Sequence, residues 1–163
     1  NAICKVLLSF NLPSISIKWP NDIMSYNKKI GGILIENSIK SNGQIQTIIG
    51  IGINVNQTNF EQLPQASSIL KSYNISIEKE LLMKKIVTCF QKVIYNLKNE
   101  VQNEWNYYHE HLFKKNIPIT FETKNGTKFT GMIIKVNDLG QLGVKNEHDD
   151  VLFFNLKEIK MLY

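Results

Sequence analysis

The stretch from Gln44 to Asn56, QIQTIIGIGINVN, constrains the fold more than any other. Ile45, Thr47, Ile49, Ile51, Ile53 and Val55 share one parity, and Gly50, Gly52 and Asn54 share the other. In an extended chain successive side chains point to opposite faces. One face of this strand is therefore greasy, and the other is stripped of side chains with a single amide at its end. Glycine weakens a strand, so it marks a bulge or a close approach by something else. Another backbone, a crossing helix or a ligand can each use such a face, and these residues alone leave the three open.

Upstream, KIGGILIENSIK (Lys29–Lys40) is a second strand-like run, joined to the first through Ser41-Asn42-Gly43. Asn-Gly between two apolar runs predicts a hairpin. Before it, Ile3, Val6, Leu7 and Phe10 are spaced for one helix face. ISIKW (Ile15–Trp19) alternates, Pro20 stops it, and PNDIMSYN is expected to be a loop.

Downstream, NFEQLPQASSIL predicts a loop leading into a short helix. Leu81, Leu82, Ile86, Val87, Phe90, Val93, Ile94 and Leu97 then make an apolar stripe at helical spacing, with Ser76 as candidate N-cap. VQNEWNYYHEHLF continues as further helix. Its His109 and His111 stand two apart, which does not place them on one helix face. Packing and surface roles are expected for this aromatic cluster. After about residue 113 the pattern becomes short alternating runs with turn residues at Asn125-Gly126, Asp138–Gly140 and Glu147–Asp150. Four or five short strands in such a segment read as a small barrel.

The 163 residues suffice for one ordinary domain, or one with a small appendage. Hydrophobic content of 43% and charged content of 20% are those of a globular protein. Cys4 and Cys89 lie far apart, with neither metal-ligand spacing nor a disulfide framework, as expected of reduced thiols in a cytoplasmic protein. The net charge of +5, from 19 basic and 14 acidic side chains, permits an acidic partner without requiring one.

There is no Walker-type phosphate loop, no dinucleotide fingerprint after a strand, no zinc cluster and no nucleophile triad. The remaining polar candidates stand at strand ends: Lys18, Asn21, Asp22, Lys29 and Asn54. Singly, each has a plain reading; Asn21 and Asp22 after proline are ordinary turn residues.

Together, KWPND (Lys18–Asp22), KIGGILIE (Lys29–Glu36) and GIGINV (Gly50–Val55), in this order and spacing, resemble the catalytic domain of biotin–protein ligases. The resemblance implies an α+β fold: a mixed β-sheet with packed helices over residues 1–112, the C-terminal portion of the catalytic domain. A small SH3-like β-barrel over residues 113–163 would follow. It implies ATP-dependent formation of biotinyl-5′-AMP, with Mg2+, and transfer of biotin to a lysine of a biotin carboxyl carrier domain. Lys29 matches the lysine at the carboxyl and phosphate region. Gly32 matches the glycine whose backbone lies against biotin. Gly50, Gly52, Ile53 and Asn54 match the strand beneath the ligand, and Trp19, Asn21 and Asp22 match the loop beside the nucleotide.

The family's G-R-G-R-x-G segment is not found upstream of KWPND. The expectation is therefore a C-terminal fragment, inactive in isolation. It is expected to bind no membrane and no DNA, with room for a homodimer. The alternatives are a lipoate-type ligase and a non-catalytic module that binds a protein or nucleic acid.

Overall fold

The computed structural model describes residues 1–163, which divide into two units. The first holds Ala2–Ile17 and Asn21–Tyr95; the second holds Asn1, Lys18–Pro20 and Asn96–Tyr163.

In the first unit, α1 (Ala2–Ser9) buries Ile3, Cys4, Val6 and Leu7, the face its spacing predicts. The strands β1 (Ile15–Lys18), β2 (Asp22–Ser25), β3 (Lys28–Ile39) and β4 (Ile45–Ile53) form one sheet in that order. β2 with β3 and β3 with β4 pair antiparallel, the latter from Gly31 opposite Ile53 to Ile39 opposite Ile45. The predicted hairpin turns at Gly43, whose φ of 79° favours glycine. β2 replaces part of the expected loop. Ile23 and Met24 are both buried, so this short strand shows no alternation, and turn-type residues flank it on both sides.

α2 (Ile69–Tyr73) is capped by Ser68, whose side chain accepts from Lys71 N. The long helix α3 (Lys79–Glu110) starts three residues after the candidate cap Ser76. The neighbouring residue explains why. Ile77 N donates to Asn56 Oδ1, and Asn56 Nδ2 donates to Ile77 O, so the chain there is tied to a loop. α3 breaks helical geometry at Glu100 (φ −123°, ψ 18°), which joins the two predicted helical stretches across a kink.

The second unit contains the residues of α3 from Asn96 onward and a five-stranded antiparallel sheet. Its strands are β5 (Pro118–Thr123), β6 (Lys128–Val136), β7 (Leu142–Lys145), β8 (Val151–Phe154) and β9 (Ile159–Leu162), in the order β8-β7-β6-β5-β9. Phe121, Ile133, Leu142 and Val144 are fully buried at its centre. The histidines pack as expected. The His109 ring stacks on Trp105 with its Nε2 3.1 Å from Val136 N, and His111 stacks on Tyr107. No helix is long and apolar enough to cross a membrane.

Candidate functional site

Lys29 owes its aim to an irregularity in the ladder. Ile23 pairs with Gly31, but Met24 pairs with Lys29, which leaves Ile30 without an opposite residue. An extra residue of this kind is a β-bulge, and it re-aims the side chains beside it. The Lys29 Nζ lies 2.6 Å from Asp22 Oδ1. Its backbone is clamped on the far side: Lys29 N donates to Gln65 O at 2.8 Å, and Ser67 N donates to Lys29 O at 2.9 Å. The lysine side chain is 47% exposed and that of Asp22 19%. So open an ion pair adds at most about 1 kcal/mol to stability. Its consequence is positional: a cation is held ready at the head of β3.

The floor beneath that cation is bare. Asp22 is opposite Gly32, and Gly32 is opposite Gly52, so these three residues form a row on one face across β2, β3 and β4. A Cβ on Gly32 would sit 3.4 Å from Lys29 Nζ and 3.6 Å from Asp22 Oδ1. A Cβ on Gly52 would meet nothing within 4 Å, and one on Gly50 only Leu34, at 3.8 Å or more. Neither a packed backbone nor a crossing helix uses the stripped face at Gly52. The stripped face at Gly52 is open.

The opposite face behaves differently. A Cβ on Gly31 would lie 2.7 Å from Gly52 O and 3.4 Å from Ile53 Cγ1. Gly31 thus permits close approach of two strands, while Gly32 lies on the opposite face beside Lys29 and Asp22. Ile53 belongs to this packed side, where with Ile51 and Val55 it lines a cavity of about 260 Å³ closed by Leu82, Met83 and Ile86 of α3.

The other sequence candidates serve the frame. Asn21 Nδ2 donates to Ile33 O at 2.6 Å, and Ile33 N returns a bond to Asn21 O at 2.9 Å, pinning the KWPND turn to β3. Asn54 Nδ2 donates to Ser67 O at 3.0 Å, and Asn54 N donates to Ile30 O at 2.7 Å, so its amide fastens the clamp behind Lys29. Trp19 lies in the second unit. Its ring is buried beside Leu112 and Phe121, and its indole N–H donates to Gly140 O at 2.9 Å. Together with Pro20, Trp19 also lines a cavity of about 790 Å³ with Trp105, Tyr108 and Leu139. The structure therefore gathers Asp22, Lys29, Gly32, Gly50 and Gly52 on one face, with Asn21 and Asn54 as supports. It sets Ile53 on the reverse face. The Gln65–Ser67 segment was missed from sequence, because its contribution is backbone and leaves no residue-type signature.

The segment that carries this face resembles a known family. Residues 3–54 match the biotin/lipoate A/B protein ligase family. The matched segment is less than half of the chain. It includes α1, the KWPND turn, Lys29, the double glycine and the glycine strand. The bifunctional ligase/repressor BirA of Bacillus subtilis (strain 168) is 40% identical over 80 residues, 47% of this chain and 25% of that protein. BirA of Escherichia coli (strain K12) is 28% identical over 87 residues, 52% of this chain and 27% of that protein. The match spans about a quarter of the length of these relatives. Among solved structures, the biotin protein ligase of Aquifex aeolicus without ligand superposes with a TM-score of 0.77 at 19% identity, over 99% of this chain and 71% of that one. The same enzyme in complex with biotin and ATP gives 0.77 at 19% identity, over 99% of this chain and 67% of that one. At such identity the likeness establishes the shared fold, α+β in both units.

Proposed function

We propose that this chain is part of a biotin–protein ligase and supplies the floor and the cation of its adenylate site. One observation carries the reading. The Lys29 ammonium stands over a glycine row whose open side has no occupant in the fold. In the first step, a carboxylate oxygen of biotin forms a bond to the α-phosphorus of ATP. The bond from that phosphorus to the β-phosphate bridge breaks, and pyrophosphate leaves. Negative charge gathers on the phosphoryl oxygens, where a fixed cation stabilises it most. Lysine suits this task as a compact charge with rotatable donors. Asp22 holds the ammonium in place, and an incoming phosphate or carboxylate competes for the same donors. In the second step, the amine of an acceptor lysine attacks the mixed anhydride carbonyl. The amide forms and AMP leaves; a biotin carboxyl carrier domain is the acceptor that fits.

Within this reading, Gly32 lies against biotin, and Gly50, Gly52 and Asn54 mark the strand beneath biotin and adenylate. Asn21 and Asp22 shape the nucleotide side of the mouth. Magnesium, implied by the chemistry, finds no cage built by protein alone. No three His, Cys, Asp or Glu side chains gather to hold a metal, and the one carboxylate beside Lys29 is already ion-paired. None of the steps above is routed through it.

The test is titration calorimetry of the protein with biotinyl-5′-AMP and with lipoyl-5′-AMP. Saturable binding of the biotinyl compound, with weaker binding of the lipoyl one, supports the reading. Preference for the lipoyl compound moves the protein to the lipoate branch. Absence of binding to either removes the adenylate site.

A further inference from the structure

A groove between α1 and α3 lies within the first unit and takes no part in the ligand face described above. Lys5 and Ser9 line it from α1, one helical turn apart, and Lys84, Lys85, Thr88 and Lys92 line it from α3. Its volume is about 380 Å³, and no carboxylate is among the lining residues. Lys85 Nζ is placed 5.5 Å from the centre of the Phe10 ring, which fixes one wall.

Like charges that converge in a concave site repel one another, and low-dielectric walls focus their field. The helix dipole does not account for the arrangement. Cations are favoured near a helix C-terminus, whereas Lys84 and Lys85 fall in the second turn of α3. From Lys84 to Lys92 the helix rises about 12 Å, at about 1.5 Å per residue. That length matches a few successive charged side chains of an extended segment.

We propose that this groove docks a short acidic stretch of a partner protein. Two observations favour a protein over a nucleic acid. None of the chain's 19 basic residues is arginine, so the forked phosphate contact typical of nucleic-acid recognition is absent. No aromatic ring is among the lining residues, and the neighbouring Phe10 ring already lies against Lys85, so no aromatic lining residue offers a platform for base stacking. With Val6 as the one large apolar side chain in the lining, attraction there is electrostatic and dependent on salt.

The experiment follows a fluorescein-labelled octaglutamate peptide by anisotropy against the full chain. The double reversal Lys84→Glu with Lys92→Glu is compared with Lys124→Glu with Lys128→Glu, which makes the same charge change in the other unit. Affinity is expected to fall about tenfold or more between about 50 and 300 mM salt as screening shortens the range of the charges. The groove reversal is expected to lose at least tenfold in affinity, while the control stays within about threefold. Circular dichroism checks the fold, and Lys84→Gln with Lys92→Gln replaces the reversal if it unfolds. Equal loss in both double variants, or none in the groove variant, overturns the proposal. So does tighter, groove-dependent binding of a DNA duplex, which would assign the groove to nucleic acid.

Discussion

The five-stranded sheet and the β3–β4 ribbon are both antiparallel, yet they treat apolar residues in opposite ways. In the former, Phe121, Ile133, Leu142 and Val144 reach 0% exposure. In the latter, Leu34 is 60% exposed, Ile39 77% and Ile45 71%. The ribbon's greasy face is covered near Ile51 and Ile53, where α3 meets it, and is open toward the hairpin tip. Alternation therefore marks a face without saying what lies on it. One sheet uses its pattern for packing. The other keeps a packed side, an open glycine side and an exposed end.

That contrast is broken most forcefully by substitutions in the two sheets. Phe121→Ala should cost about 3–5 kcal/mol, as expected for truncation of a fully buried ring. Ile39→Ser should stay within about 0.5 kcal/mol, as for a surface change. Urea unfolding of both variants measures the difference. Similar costs would show that the ribbon's apolar residues are packed as tightly as those of the core.

Next in size is the contrast between the glycines. Gly31→Val forces a side chain against Gly52 O, 2.7 Å from the Cβ position, where backbone must move. A loss of about 1–3 kcal/mol or more is expected. Gly52→Val has no neighbour within 4 Å to collide with. It should leave the thermal midpoint nearly unchanged and weaken biotinyl-adenylate binding instead. If calorimetry finds wild-type affinity in Gly52→Val, the open face is not where the ligand lies.

These two glycines also show how far the sequence could be read. Parity alone separated Gly50 and Gly52 from Ile49, Ile51 and Ile53, and the structure keeps that separation. Hairpin, helices and terminal strands were legible because Asn42-Gly43, the apolar stripe of α3 and the later turn residues are local signals. The functions of Gly31 and Gly32 could not be told apart, since the difference depends on which strand lies opposite. The bulge at Ile30 was equally hidden, because it is a mismatch between strands rather than a property of either. β2 was missed for want of alternation. The Lys29–Asp22 pair joins residues whose types were noticed but whose meeting depends on that bulge.

Lys29 sharpens the functional side of the comparison. Lys29→Ala should slow adenylate formation about tenfold or more while the fold stays intact, because one lost transition-state contact is worth a few kcal/mol. Single-turnover formation of adenylate from biotin and ATP in the full-length enzyme is the measurement. An unchanged rate would remove Lys29 from the chemistry and leave it as a partner of Asp22.

The smallest expected effect belongs to the second unit and appears only in alkali. Tyr108 lies edge-on to Trp105, and burial raises its phenol from 10.0 to about 12. Burial also raises Tyr73 in the first unit, opposed by the hydrogen bond from Ser25. A phenol that holds its proton more tightly when folded contributes stability fully present below the unfolded value near pH 10. That contribution is lost as pH rises from about 10 toward about 12, because the unfolded chain ionises first. Tyr108→Phe keeps the ring and removes the proton, so its stability should fall less steeply over that range. Urea midpoints of both proteins at about pH 8, 10 and 11 isolate the phenol, since lysine titration is common to the two. Parallel loss in the pair would mean that Tyr108 ionises as readily in the folded protein as in the unfolded chain, and that its hydroxyl is not shielded by the fold.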